Sequence, residues 1–247
     1  MYHAVIDADH LPAPDREEGA GLYDLPVAQF RAHMDVLSRL GYRTQTAGEA
    51  PDESEKFVIL TFDDGEMNNA ALALPILKSC GFKAYFFVTP ERIGRPGYMD
   101  WPQLKHIREE GMTIGAHGLT HAVLPTMNDR DLENELRTSR TILQDRLAAD
   151  IDAMSVPRGF YDRRVVDRAR EAGYRHIFVS DIDPRCADGV TGRIAVKSGW
   201  TPARFEMALN GRVPSGEWMF DRIKNGFKRF LSPQAYNRLR QILVRKS

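Results

Sequence analysis

Cysteine is scarce: Cys80 and Cys186 are the only two in 247 residues. They are far apart and fit neither a metal-knuckle nor a redox spacing, so no disulfide framework or cysteine metal centre is expected. A net charge of zero, 34 basic against 34 acidic side chains, provides no global field to gather nucleic acid. No apolar run reaches the length of a membrane span. The early segment carries Asp7, Asp9, Asp15, Arg16, Glu17 and Glu18 where a signal peptide needs an apolar stretch, so a cytoplasmic location is expected. No glycine-rich phosphate fingerprint follows any strand candidate, which removes support for nucleotide binding. What is present is the balance of a globular chain, 43% hydrophobic and 28% charged. A chain of this length buries enough surface to fold without a metal, so any metal serves chemistry.

Short β-branched or aromatic runs alternate with stretches of helical period. Strands are expected at 2–6, 57–62, 82–88, 112–116, 153–156, 174–179 and 193–197. Helices are expected at 27–40, 69–80, 101–110, 129–148, 163–172 and 202–209, with Gly81, Gly111 and Gly173 as stops. Such alternation implies parallel strands, in an open doubly wound sheet or a closed barrel ringed by helices. The Pro-, Gly- and Asp-rich stretch after residue 6 is long enough to be a lid or a mobile loop. Two units are expected: a barrel domain over 1–215 and a basic helical tail over 216–247.

The run Val58 to Phe62 leads into Asp63-Asp64-Gly65, placing adjacent carboxylates at a strand's C-terminal end. An Asp-Gly turn capping a helix is the plain reading of such a tripeptide. Two neighbouring buried charges, however, make most sense where a cation neutralises one. The expected strand 112–116 ends in His117-Gly118-Leu119-Thr120-His121, whose spacing of four would bring both imidazoles to one side of a helical turn. Two imidazoles and one carboxylate form a three-ligand site with an open position, as in a catalytic zinc centre. The other carboxylate is then free to act as a base.

These residues carry a resemblance. From Tyr2-His3 to about Leu209, and most specifically in Thr61-Phe62-Asp63-Asp64-Gly65, Ala84-Tyr85-Phe86-Phe87-Val88 and His117 to His121, the chain resembles polysaccharide deacetylases of the NodB-homology family, carbohydrate esterase family 4. The resemblance implies an α/β fold, a distorted β/α barrel, that hydrolyses the N-acetyl group of amino sugars. It also implies Asp63 as general base, with Asp64, His117 and His121 holding a divalent metal. Zinc is the usual ion, and cobalt, nickel and manganese suit the same ligands. N-acetylated saccharide is the implied substrate; no nucleic-acid partner is expected.

Two departures stand out. Where many members carry Arg-x-Pro, with an arginine that orients the base, this chain has Ser155-Val156-Pro157 followed by Arg158-Gly159-Phe160-Tyr161. Arg158 and Arg193 are candidates for that role, although each reads first as a surface or structural arginine. The family's general acid is commonly a histidine late in the chain, and none follows His176. Tyr2-His3-Ala4-Val5 resembles the N-terminal Tyr-His segment of exopolysaccharide and biofilm deacetylases, which makes His3 the candidate acid; the competing reading is a frayed terminus. Pro157, Arg158, Tyr161 and Trp200 are candidate substrate contacts, with core packing the competing use of the two aromatics. His10, His33, His106, His176 and Trp101 are given no role.

Three functional readings follow: a metal-dependent saccharide N-deacetylase, a hydrolase of another non-peptide amide, and a non-catalytic saccharide-binding protein. In the tail, Ile223, Phe227, Phe230, Leu231, Leu239, Ile242 and Leu243 recur at helical spacing among eight basic residues. That stripe either packs on the barrel or gives peripheral contact with anionic lipid at the inner membrane face.

Overall fold

The computed structural model describes residues 1–46, 55–181 and 190–211. The basic tail and Cys186 lie outside the described residues. Six parallel strands form the main sheet: β5 (Thr61–Phe62), β6 (Tyr85–Val88), β7 (Thr113–Ala116), β8 (Ala153–Ser155), β9 (His176–Val179) and β10 (Val190–Gly192), paired in sequence order. Two small parallel pairs flank it, β1 (Val5–Ile6) with β2 (Leu25–Pro26), and β3 (Arg43–Thr44) with β4 (Phe57–Val58). Helices α1 (Val27–Arg39), α2 (Leu74–Ser79), α3 (Trp101–Glu109), α4 (Asp129–Leu147), α5 (Arg163–Glu171) and α6 (Pro202–Leu209) complete the α/β pattern. Of the two architectures open to the sequence, the distorted barrel is the one formed. Among the described residues, no helix is long and apolar enough to cross a membrane.

The curled sheet has its edges linked through the start of the chain. Tyr2 bridges to Phe62 in parallel, and Tyr2 N donates to Thr61 O while Asp63 N donates to Tyr2 O. On the other side Val196 N donates to Met1 O and Met1 N donates to Ile194 O. The strand expected at 193–197 therefore begins earlier, at Val190, and its continuation bonds to residue 1 rather than to β9. The expected 57–62 strand is likewise split into β4 and β5.

Side chains alternate across a strand, and the alternation here has functional consequences. Phe62, Phe86, Val88, Ile114, Ala116, Met154, Ile177 and Val179 belong to the large core packed under the helices. Tyr85, Phe87, Ala153 and Phe178 form a second buried cluster with Ile59, inside the curl. Gly115 takes its place on that face because nothing larger fits: a Cβ there would lie 2.5 Å from the Phe87 ring and 2.9 Å from Ala153 O. The inner positions one step further along are Asp63, His117 and Ser155. The alternation that fills the barrel interior thus delivers these three side chains to its C-terminal mouth.

Helix ends follow local chemistry. Asp100 and Gln103 make a reciprocal capping box on α3, and Asn128, Asp162 and Thr201 cap α4, α5 and α6. The expected helix 69–80 opens instead as a π turn, Asn69–Ala73, before α2. Pro75, near the start of α2, cannot donate to an α ladder, so a regular helix cannot run through from Asn69.

Candidate active site

The chain turns sharply after β5. Asp64 and Gly65 both adopt left-handed backbone, φ 73° and 75°. For a non-glycine residue such a conformation is strained, and strain of this kind concentrates at sites where the turn has a purpose. Here it sends Asp63 into the curl and Asp64 toward the β7 loop. Both carboxylates are buried.

Asp63 is held by a guanidinium. Arg193 Nη1 donates to Asp63 Oδ1 at 2.7 Å and Nη2 to Oδ2 at 2.8 Å. Nη1 also reaches Thr61 Oγ1 at 3.0 Å, and Nη2 reaches Ser155 Oγ at 2.6 Å. Ser155 Oγ in turn donates to Asp63 Oδ2 at 2.9 Å. The reading of Arg193 as a surface or structural arginine is corrected: it is 7% exposed and forks onto the candidate base. Arg158, by contrast, is exposed on a left-handed residue, φ 58°. Serine at 155 is small enough to leave the space the guanidinium fills, with the Phe87 and Phe178 rings 5.6 and 5.8 Å away. Burial pushes the Asp63 carboxyl up, but Arg193, aided by His117, outweighs it and holds the group well below the usual carboxylate range.

Asp64, His117 and His121 offer ligand atoms that all lie within 4.8 Å of one another. The His117 ring Nδ1 lies 2.8 Å from Ser155 O; a carbonyl only accepts, so Nδ1 carries the proton and the Nε2 lone pair faces Asp64 Oδ1 at 3.6 Å. His121 Nε2 lies 3.1 Å from the same oxygen. Asp64 Oδ1 is buried and has no hydrogen-bond partner among the described residues. An orphaned carboxylate oxygen facing two imidazole nitrogens fits a divalent cation.

Burial pushes His117 down; the proximity of Asp63 opposes this and His121 adds to it, leaving a pKa of about 4. Burial acts on His121 in the same direction, but the adjacent carboxylates of Asp64 and Glu17 outweigh it and raise the ring to about 9.

The two histidines do not share a helical turn, contrary to the sequence reading. Residues 117–121 form a loop with left-handed Gly118 and His121, φ 69° and 65°. Its shape is set by Glu135 of α4, which accepts from Leu119 N and Thr120 N, both at 2.8 Å, and from Thr120 Oγ1 at 3.1 Å. Glu135 was legible in principle: it lies on the buried face with Leu132, Leu136, Ser139 and Leu143, where an unpaired carboxylate would be costly. Glu17 carried no such signal, sitting in an acidic loop. Yet its Oε1 lies 2.5 Å from His121 Nδ1 and accepts from Arg92 Nη2 at 2.5 Å.

His3 is not at a frayed end. Tyr2 is fully packed, and the His3 ring stacks on Tyr23 at 4.7 Å. Burial pushes the His3 pKa down, opposed by Asp64 and Asp63, with a net shift below the ordinary histidine value. Its Nδ1 has no partner among the described residues.

The candidate substrate contacts divide. Pro157 is buried, and its Cγ would lie 3.1 Å from a Cβ on Gly118. Tyr161 is half-buried, and its hydroxyl donates to Asp181 Oδ2 at 3.4 Å. Trp200 is a correction: at 3% exposure, with Arg204 lying 5.3 Å from its ring centroid and its carbonyl accepting from His33 Nε2, it is a core residue with no ring face open to a sugar.

Comparison with known proteins bears on the family and the fold. The family model for polysaccharide deacetylase matches residues 50–177, over half the chain. YxkH of Bacillus subtilis (strain 168), named as a polysaccharide deacetylase, is 29% identical over 182 residues, covering 71% of this chain and 61% of its own length. The chain therefore spans about three fifths of that relative. Among solved structures, the Streptococcus pyogenes deacetylase PplD in complex with acetate superposes with TM-score 0.71 at 21% identity, over 84% of this chain and 95% of that one. IcaB from Ammonifex degensii gives TM-score 0.69 at 21% identity, over 86% and 94%. At these identities the likeness is one of fold.

Proposed function

Because the chain belongs to the polysaccharide deacetylase family, we propose that it removes N-acetyl groups from an amino-sugar-containing saccharide by metal-dependent hydrolysis, releasing acetate and a free amine. The observation that carries this reading is the clamped carboxylate Asp63 beside a second carboxylate that faces two imidazole nitrogens.

Asp64 Oδ1, His117 Nε2 and His121 Nε2 would hold the cation. A divalent ion there, zinc by its donor set with cobalt, nickel or manganese also compatible, supplies Lewis acidity toward water and an acetamide carbonyl. Asp63 accepts the proton of the attacking water. Its Oδ2 already takes two donors, Arg193 Nη2 and Ser155 Oγ, while Oδ1 takes only Arg193 Nη1 from the clamp and keeps a lone pair for that proton. Arg193 keeps the base ionised and fixes its plane, at some cost in basicity. His3 delivers a proton to the departing nitrogen; its lowered pKa makes the protonated ring the stronger acid and the less populated one as pH rises. The non-catalytic alternative draws on two departures, the missing Arg-x-Pro arginine and the absent late histidine; the fork of Arg193 on Asp63 and the placement of His3 beside the site weigh against it.

The test is acetate release from N-acetylated glucosamine oligomers by metal-free and zinc-restored protein. Release that returns with about one equivalent of zinc supports the reading; saccharide binding without acetate release by zinc-loaded protein overturns it.

A further inference from the structure

Residues 7–24, read from sequence as a lid or a mobile loop, are fastened at several points. Ala13 sits so close to Gly97 that a Cβ on that glycine would be 2.6 Å from Ala13 Cα. Ala13 N donates to the buried Glu66 Oε2 at 2.8 Å. Arg16 forks onto Asp24 at 2.5 and 2.8 Å and touches Glu66 Oε1 at 3.3 Å. Ser198 N donates to Leu22 O at 2.9 Å. This strap presents two side chains to the site, Tyr23 against His3 and Glu17 against His121.

We propose that Glu17 is a positioning residue of the metal centre, fixing the His121 ring and offsetting the charge of Arg92, so that the strap is part of the site rather than a cover over it. The proposal rests on the reading of Asp64, His117 and His121 as metal ligands. A carboxylate accepts only, so Glu17 Oε1 takes the Nδ1 proton of His121, and Nε2, 3.1 Å from Asp64 Oδ1, is the nitrogen turned toward the cation position. A ligand imidazole held this way by a carboxylate keeps its tautomer and gains donor strength.

The electrostatics require the same residue. Arg92 Nη1 lies 3.5 Å from Asp64 Oδ1 and has no hydrogen-bond partner among the described residues. A buried guanidinium so near a ligand oxygen opposes a divalent cation unless a second anion balances it. With Asp64 and Glu17 negative and Arg92 positive, the surroundings carry one net negative charge; without Glu17 they carry none.

The measurement is zinc affinity by chelator competition on full-length protein, with the visible absorption of the cobalt-substituted protein as a second readout. Loss of an outer carboxylate on a metal-binding histidine typically costs about 10–100-fold in affinity. Glu17→Ala is expected to fall in that range and to shift the cobalt bands. Glu17→Gln, which still accepts from Nδ1 but has lost the charge, should fall between Glu17→Ala and wild type. Asp9→Asn, on the exposed part of the strap, should match wild type in both readouts. A mere loosening of the strap would lower the melting temperature of the metal-free protein without moving the cobalt spectrum. Wild-type affinity and an unchanged spectrum in both Glu17 variants would overturn the proposal. Failure of wild-type protein to bind zinc would instead overturn the ligand assignment, and the proposal with it.

Discussion

Asp63 and Arg193 are 130 residues apart in sequence and make a two-pronged charged contact in the barrel mouth. Two variants separate their contributions. Asp63→Asn preserves the shape of the side chain and leaves the three metal-facing groups untouched. It is expected to bind metal at the wild-type stoichiometry while turnover falls by about 10²–10⁴-fold, the usual worth of a positioned base. Metal analysis and acetate release on the same preparation check it. Arg193→Met leaves a buried carboxylate without its cation, a change that typically costs about 3–5 kcal/mol, and denaturant unfolding should report a loss of that order. Arg193→Lys keeps the charge without the fork, so its stability should lie between the two while turnover stays well below wild type. Asp63 and His117 were legible in sequence because each directly follows a strand-like run, and Asp64 and His121 because of their spacing from those two. Arg193 was legible only as one of two candidates, because nothing local distinguishes it from a surface arginine until residues 194–196 bond to residue 1 beside β5.

At the scale of elements, strand and helix alternation was readable because the central strands such as β6 and β9 are compact, largely apolar runs and four helices begin at a capping side chain. The π turn before α2 and the shift of the last strand to Val190–Gly192 were not, since one depends on a proline's effect on the turn before it and the other on pairing with β9, which leaves residues 194–196 to bond with residue 1. The loop bearing both histidines was misread as a helical turn because its shape comes from Glu135 on another element. Glu135→Ala should therefore loosen the loop. Zinc affinity should drop, while α4, capped and packed independently, keeps its helical signal by circular dichroism. The inner strand face gives a sharper expectation. Gly115→Ala must push a Cβ against the Phe87 ring, and overpacking of this kind costs about 1–3 kcal/mol, measurable as a lowered unfolding midpoint.

For the whole molecule, stability and activity respond to pH through different groups. His33 is fully buried between the Tyr2 hydroxyl at 3.4 Å and Trp200 O at 3.0 Å, tying α1 to the first strand segment and to the turn before α6. Burial pushes its pKa below the ordinary value, only partly opposed by the bond to Trp200. Below about pH 6.5 the unfolded chain takes up the proton that the folded chain resists, so the contribution of His33 is whole above that pH and is lost as pH falls toward the folded value. His33→Gln should flatten the acid side of the stability profile. The His3 reading acts at the other end: a rate that needs protonated His3 falls as pH rises, and His3→Ala should lower turnover and remove that limb with metal content unchanged.

The central claim is that Asp64, His117 and His121 hold one catalytic cation beside the base Asp63. The most direct measurement is metal content and acetate release determined together for wild-type protein, His117→Ala and Asp63→Asn. The account predicts one equivalent of metal and release in wild type, loss of both in His117→Ala, and metal without release in Asp63→Asn. Stoichiometric metal in His117→Ala, or undiminished acetate release in Asp63→Asn, would contradict it.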